Sequence, residues 1–215
     1  MSRSCAAWLF FVLLGVGTAS ARADALLQED FSGATPGANS SLAGTQFHVT
    51  SGAVDILGVL NGTFAGCGNN PTGNCIDLVG SPGNGAIASV PKFNLIAGDT
   101  YKISFGYILQ GFATGTTPTS DFTVGLGSFS DMLTAIPMVQ TGSISFKASS
   151  NQSAVALTFA TDTAPDAFHG AVLDHIVLTQ TSGSAAVPEP DSAVLLAIGA
   201  GLYALIGLRK LLRAR

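Results

Sequence analysis

Between Asp24 and Gly183 no stretch of the chain carries a helical repeat, and apolar residues alternate with polar ones instead. In Thr100–Leu109, for example, Tyr101, Ile103, Phe105 and Tyr107 fall on one face, with Lys102, Ser104 and Gly106 on the other. A period of two is strand geometry, because successive side chains point to opposite sides of a sheet. Gln46–Thr50 alternates in the same way, as do Phe122, Val124 and Leu126, the pair Ile144 and Phe146, and Val155, Leu157 and Phe159. Ala53–Leu60 is apolar with one acid, Ala86–Val90 is a short strand stopped by Pro91, and Ala171–Leu178 closes the series. These runs predict about nine or ten strands. A lone open sheet of that size would leave a face and two edges exposed, so the pattern predicts an all-β sandwich.

The two ends follow a different rule. Ser192–Leu208 is a run of 17 residues without a charge. At about 1.5 Å per residue it spans roughly 26 Å, near the lower limit for a bilayer core. Arg209, Lys210, Arg213 and Arg215 follow, which by the positive-inside rule keeps the C-terminus cytoplasmic and everything before Pro188 outside. Val187-Pro188-Glu189-Pro190 stands immediately before the span. Motif, helix and basic tail in this order resemble the PEP-CTERM sorting signal of Gram-negative bacteria. The resemblance implies recognition in the inner membrane by an exosortase, cleavage near the motif and release to the cell surface or extracellular matrix. The alternative is an ordinary single-span anchor. At the other end Arg3 precedes the apolar stretch Ala6–Val16, and Ala21-Arg22-Ala23 fits the small-x-small pattern of a signal peptidase site. Ala19-Ser20-Ala21 competes with it. The predicted organisation is a signal peptide over 1–23, an ectodomain over 24–183, a linker with the sorting motif over 184–191, a transmembrane helix over 192–208 and a basic tail over 209–215.

The charge of the ectodomain is masked by its flanks. Between Asp24 and Val187 the chain has three lysines (Lys92, Lys102 and Lys147), no arginine and eleven acids, a net charge of −8. Such a surface has no basic footprint for nucleic acid.

Two strands carry a more specific likeness. Leu95-Ile96-Ala97-Gly98-Asp99-Thr100-Tyr101-Lys102-Ile103-Ser104-Phe105 and Gly170-Ala171-Val172-Leu173-Asp174-His175-Ile176-Val177-Leu178 resemble the "aGtTYtLSF" strand and the final "lDnVsL" strand of galactose-binding-like jelly rolls. Glu29-Asp30-Phe31 resembles that family's first strand. The resemblance implies a jelly-roll-like β-sandwich. Jelly rolls of this kind often bind one calcium ion where the first and last strands meet, so the resemblance also implies Glu29, Asp30 and Asp174 as its carboxylate ligands. The alternative is that these are ordinary strand and turn acids. The only tryptophan, Trp8, lies in the signal peptide, so the aromatic that the family often shows after its first strand has no tryptophan counterpart here.

Cys67 and Cys75 are the two cysteines of the ectodomain, and seven residues lie between them. In an oxidising compartment an even pair at this spacing reads as a disulfide closing a loop. A metal site would need a second cysteine pair or a nearby histidine, and the sequence offers neither.

Catalytic motifs are missing from the ectodomain: no Gly-x-Ser-x-Gly elbow, phosphate loop or His-Glu-x-x-His helix occurs. His48 shares a strand face with Gln46 and Thr50, which predicts exposure, and Asp174 and His175 are expected on opposite faces of their strand. Asp162, Asp166 and His169 cluster in Thr161–Gly170, either as acid–base or cation-binding groups or as a solvated loop. The sequence therefore predicts an exported, non-catalytic surface or matrix protein associated with exopolysaccharide or other carbohydrate. The alternative is an extracellular polysaccharide hydrolase, which would need two carboxyl groups flanking a cleft.

Overall fold

The computed structural model describes residues 23–38, 41–58, 67, 73–80, 83–109 and 118–181. The sorting motif Val187–Pro190, the expected transmembrane helix and nearly all of the signal peptide lie outside these residues. Among the described residues there are fifteen strands and no helix. In chain order they are β1 (Ala23–Glu29), β2 (Phe47–Ser51), β3 (Asp55–Leu57), β4 (Cys75–Asp77), β5 (Val79–Gly80), β6 (Gly83–Asn84), β7 (Ala86–Ser89) and β8 (Phe93–Leu95). Then come β9 (Thr100–Leu109), β10 (Ser120–Leu126), β11 (Phe129–Ala135), β12 (Gln140–Lys147), β13 (Gln152–Val155), β14 (Leu157–Thr163) and β15 (Ala171–Thr181). The count exceeds the expected nine or ten because several strands are only two or three residues long.

Two sheets carry the fold. The first runs β12-β9-β15-β4-β3, with β1 also paired to β15, and the second runs β11-β10-β14-β7-β2. Their facing sides supply one core. Phe105 of β9 meets Phe122 of β10 and Phe159 of β14 edge-on, with ring centroids 6.1 and 5.3 Å apart. Tyr101, Ile103, Leu173, Ile176 and Leu178 from the first sheet and Val124, Leu126, Leu157 and Ile87 from the second are buried in the same cluster. The alternation read from the sequence is therefore the burial pattern of a β-sandwich, as expected. Phe129 and Phe146 stack with centroids 4.2 Å apart and join β11 to β12, the neighbouring edges of the two sheets.

β15 is the longest strand and is paired on both sides. β9 lies along one edge, and the other edge is shared, with Val172 and Leu173 against β4 and Ile176–Thr181 against β1. A register shift between Asp174 and Val177 marks a bulge, where His175 takes a left-handed φ of 50°. Asp174 is buried and His175 exposed, but the bulge interrupts the regular alternation expected of this pair, since Leu173 and Ile176 both reach the core; His48 is exposed on β2, as expected.

The crossing from β1 to β2 is held by one carboxylate. Glu29 is 6% exposed, and its oxygens accept the backbone N–H of Phe31 at 2.7 Å and of Gln46 at 2.5 Å. This fixes Phe31 at a φ of 55°, a left-handed conformation that is unfavourable for a phenylalanine, with its ring fully buried against Phe47. Gly33 and Gly44 then pass backbone against backbone, where a Cβ on either would collide with the other's carbonyl. The Asn74 side chain donates to the carbonyls of Phe31 and Ala34, and Gly37 pairs with Ile56 through two 2.9 Å hydrogen bonds. The connection is thereby laid against β3 rather than left free.

Cys67 and Cys75 form the expected disulfide, with Cα atoms 5.3 Å apart. Closing this loop stabilises the fold by roughly 2–3 kcal/mol on the chain-entropy account. Peptide mapping without reductant is expected to recover the linked pair, and the Cys67→Ser, Cys75→Ser double variant is expected to lose about that stability in denaturant. Glu29→Ala is expected to cost about 2–3 kcal/mol in urea unfolding of residues 22–184, because two N–H donors lose a charged acceptor.

Candidate functional site

The first sheet places two acids side by side. β3 and β4 pair so that Asp55 lies opposite Asp77, Ile56 opposite Ile76 and Leu57 opposite Cys75. Directly opposed residues share a face. Ile56 and Ile76 enter the core, so Asp55, Asp77, Leu57 and Cys75 face away from it, on the outer side of the sandwich. This outer side is not flat. Pro36, Gly37 and Ala38 rise beside β3, and Phe168 and His169, which lead into β15, stand over β4. Between them lies a cleft of about 460 Å³ lined also by Asp55, Ile56, Leu57, Gly58 and Asp77. Gly58 lets the near wall approach, since a Cβ there would stand 2.9 Å from the Pro36 ring.

Asp77 is the buried acid of the cleft, only 5% exposed. Burial pushes its carboxyl up to about 7, the charges of Asp55 and Asp166 push in the same direction, and the N–H groups of Val79 and Gly170 oppose them. The Val79 N–H donates to Oδ1 at 2.9 Å. Gly170 fits tightly here: a Cβ at that position would come within 2.8 Å of the same oxygen. Asp166 organises the other wall. Its carboxylate receives the N–H of Phe168 and of His169 at 2.8 and 2.9 Å and holds the His169 ring through Nδ1 at 2.8 Å. Hydrogen bonds from His169 and Phe168 keep Asp166 below its ordinary range. The turn so fixed leaves the Phe168 ring 62% exposed at the rim of the cleft.

The cluster read from Thr161–Gly170 is thus divided. Asp166 and His169 belong to the cleft, but Asp162 lies in β14, where its carboxylate accepts the Thr123 hydroxyl at 2.6 Å on the second sheet. The segment begins as strand, not loop, and continues as strand to Thr163. Asp77 was not singled out by its sequence, and Asp55 appeared only as one acid in an apolar run. Each is a single acid inside a buried, apolar segment, and that is the signal by which both could have been found.

The first and last strands are neighbours, as the calcium reading required, with Glu29 opposite Ile176. The carboxylates there do not fit a calcium ion. Both oxygens of Glu29 face backbone N–H donors, and an Asp30 oxygen accepts the Ser32 N–H at 3.0 Å in a tight turn. Those Ser32 hydrogen bonds lower the Asp30 carboxyl below its ordinary range. Asp174 is buried in β15, two residues before Ile176. Among the described residues no group of three or more His, Cys, Asp or Glu is placed to hold a metal ion.

No family model matches the chain, and no curated protein matches it. Among solved structures it is similar to the CBM22-1 and GH10 modules of the Clostridium thermocellum endo-1,4-β-D-xylanase 10B with xylohexaose, at 12% identity and a TM-score of 0.41, covering 72% of this chain and 28% of that one. It is also similar to the CBM22-1 xylan-binding domain of Paenibacillus barcinonensis Xyn10C, at 13% identity and a TM-score of 0.38, covering 77% of this chain and 100% of that one. A structure of TmCBM61 with β-1,4-galactotriose matches at 9% identity and a TM-score of 0.35, covering 61% of this chain and 85% of that one. Similarities of this size carry no functional argument, and the fold rests on its own strand pairings.

The Asp77 carboxyl ties stability to pH with a definite sign. Its folded value is near 7 and its unfolded value near 3.8, so the folded state holds the extra proton between them. Its contribution is fully present below the unfolded value and is lost as pH rises toward about 7. The expected outcome is a stability difference between Asp77→Asn and wild type that grows in favour of the variant from about pH 4 to about pH 7, by on the order of 4 kcal/mol, and then levels off. Taking the difference removes Asp30 and Asp166, whose lowered values act in the opposite direction. Urea melts across that pH range make the measurement.

Proposed function

We propose that the chain is an exported, non-catalytic surface or matrix protein that contacts polysaccharide through the cleft beside Phe168, and that an exosortase processes its tail at Val187–Pro190. The observation that carries the binding reading is the exposed Phe168 ring at the rim of a concave site. A sugar ring presents an apolar face of C–H groups on which such an aromatic can stack. The apolar walls from Pro36, Ala38 and Leu57, with a few fixed polar groups, are what a small-ligand site requires. The disulfide supports export, because such bonds persist in oxidising compartments.

One observation favours a second reading, a hydrolase. Asp55 and Asp77 are cross-strand partners whose Cα atoms stand about 5 Å apart. A pair of neighbouring carboxyl groups, one of them pushed up to about 7 by burial, is an arrangement that glycoside hydrolysis uses. The burial of Asp77, with two backbone donors on its carboxylate, argues for a structural role instead.

Glycan-array binding followed by titration separates the two. Phe168→Ala is expected to weaken binding about tenfold or more, from the loss of one stacking ring. Asp77→Asn is expected to retain binding, and no new reducing ends are expected from any bound polymer. Polymer cleavage that disappears in Asp77→Asn would establish the hydrolase and end the non-catalytic reading. The array is run with calcium and with chelator, so that any dependence on the ion is seen directly. For sorting, peptides from Ser192–Leu208 are expected to be absent from surface-extracted protein, and their recovery there would argue for a plain anchor.

A further inference from the structure

We propose a second carbohydrate subsite, on the short β8–β13 sheet, that reads the acetamido group of N-acetylated amino sugars. Among the described residues it shares none with the Phe168 cleft. Phe93 and Leu95 of β8 turn into the core, so Asn94 between them faces outward. Ile96, the next residue after the strand, is outward as well and 51% exposed. Leu95 pairs with Gln152, which sets Asn151 across from Ile96. Asn94, Ile96 and Asn151 thus share one face, and with Leu95, Gln152 and Ser153 they line a depression of about 330 Å³.

The backbone orients the two asparagines. Only the oxygen of a side-chain amide can accept an N–H, so each such bond fixes which end of the amide is left over. Asn151 Oδ1 accepts the Ala97 N–H at 2.7 Å, and Asn94 Oδ1 accepts the Ala154 N–H at 3.1 Å. Ala154 offers that N–H from a bulge in β13, at a left-handed φ of 55°. Neither Nδ2 has an acceptor among the described residues. Gln152 adds no further donor of this kind. Its Oε1 accepts the Ser128 N–H at 2.8 Å, and its Nε2 donates to the Ser128 hydroxyl at 2.9 Å. The depression therefore presents two amide donors beside an exposed branched alkyl group, and the described residues that line it are all uncharged.

An acetamido group carries the complement: a carbonyl oxygen with two lone pairs, and a methyl on the same carbon. The oxygen takes the Nδ2 donors and the methyl covers Ile96. A plain hydroxyl brings no methyl. A carboxylate would accept the same donors, but eleven acids against three lysines between Asp24 and Val187 set the field of the domain against an anion. The neutral acetamido group meets no such field.

The test uses the full chain in detergent and three β-1,4-linked oligomers, of N-acetylglucosamine, of glucosamine and of glucose. The acetylated oligomer is expected to bind about tenfold tighter than the glucose oligomer. It is also expected to shift the side-chain NH2 resonances of Asn94 and Asn151 in NMR spectra. In the Asn94→Asp, Asn151→Asp double variant each carboxylate still accepts its backbone N–H, but the outward donor becomes an acceptor. That variant is expected to lose the acetyl preference and to favour the glucosamine oligomer in a buffer acidic enough to protonate its amines. Ile96→Ser is expected to weaken only the acetylated oligomer. Melting temperatures show whether the variants keep the fold, and the resonance shifts in the unaltered chain test the subsite without any substitution.

Equal binding of the glucose oligomer, or unmoved Asn94 and Asn151 resonances, would overturn the subsite. So would an acetyl preference that survives the double variant and disappears in Phe168→Ala, because the acetamido group would then be read in the Phe168 cleft. Weaker binding of the glucose oligomer in Phe168→Ala, with the acetyl preference kept, is the result expected of two separate sites.

Discussion

The sandwich depends on β15 being paired along both of its edges. β9 takes one edge for nearly the whole length of the strand, and β4 and β1 divide the other. A strand so placed exposes no unpaired backbone in its paired stretches, and its apolar side chains Leu173, Ile176 and Leu178 reach the core. It also does what no local interaction can. It brings the first strand, the disulfide-bearing β4 and the Phe168 turn into one frame, although they are far apart in the chain. The bulge at Asp174–Val177 falls close to where β4 gives way to β1. The extra residue there lets one strand serve two partners of different register.

The outer face of that frame is where the acids collect, and their burial has a cost. Asp77 sits in a place that favours its neutral form, and the two backbone donors on its carboxylate only partly offset this. An alanine or a leucine would cost less as packing. What Asp77 supplies is a fixed acceptor for the Val79 N–H at the point where the chain leaves β4 for the short β5–β6 hairpin. The Glu29 carboxylate does the same at the turn out of β1, and Asp166 does it at the turn before β15. Three carboxylates, Asp77 and Glu29 buried and Asp166 exposed, thus act as turn staples in a domain with few cations to pair with. This explains how so acidic a chain tolerates them: their partners are backbone N–H groups, not lysines.

The sequence made β9 and β10 legible because each has one face in the core and so alternates, and β15 was legible as a closing apolar run although its first four residues are all buried. β9 was bounded correctly at both ends, and the Tyr101–Tyr107 face is the face that packs. β4 was not legible. It is three residues long and buried on both sides, so it carries no alternation. β11 was hidden for the opposite reason. Its inward row is Phe129, Asp131, Leu133 and Ala135, and the acid interrupts the apolar pattern. An inward charge on an edge strand obstructs pairing with another chain, and Asp131 also occupies the N–H of Met132 at 3.0 Å. The cleft was half legible. Asp166 and His169 are three residues apart in one loop, but the opposition of Asp55 and Asp77 is created by the pairing of β3 with β4 across the disulfide loop. No spacing in the chain announces it. The first-to-last strand contact was legible through resemblance, whereas the real partners of Glu29 were not, because Gln46 is brought to it by the Gly33–Gly44 crossing.

The same topology sets an order on assembly. The partner of the first strand is the last one, so β1 has no ladder until residues 176–181 are in place. In a chain that emerges from its N-terminus, β1 is made first and waits for β15.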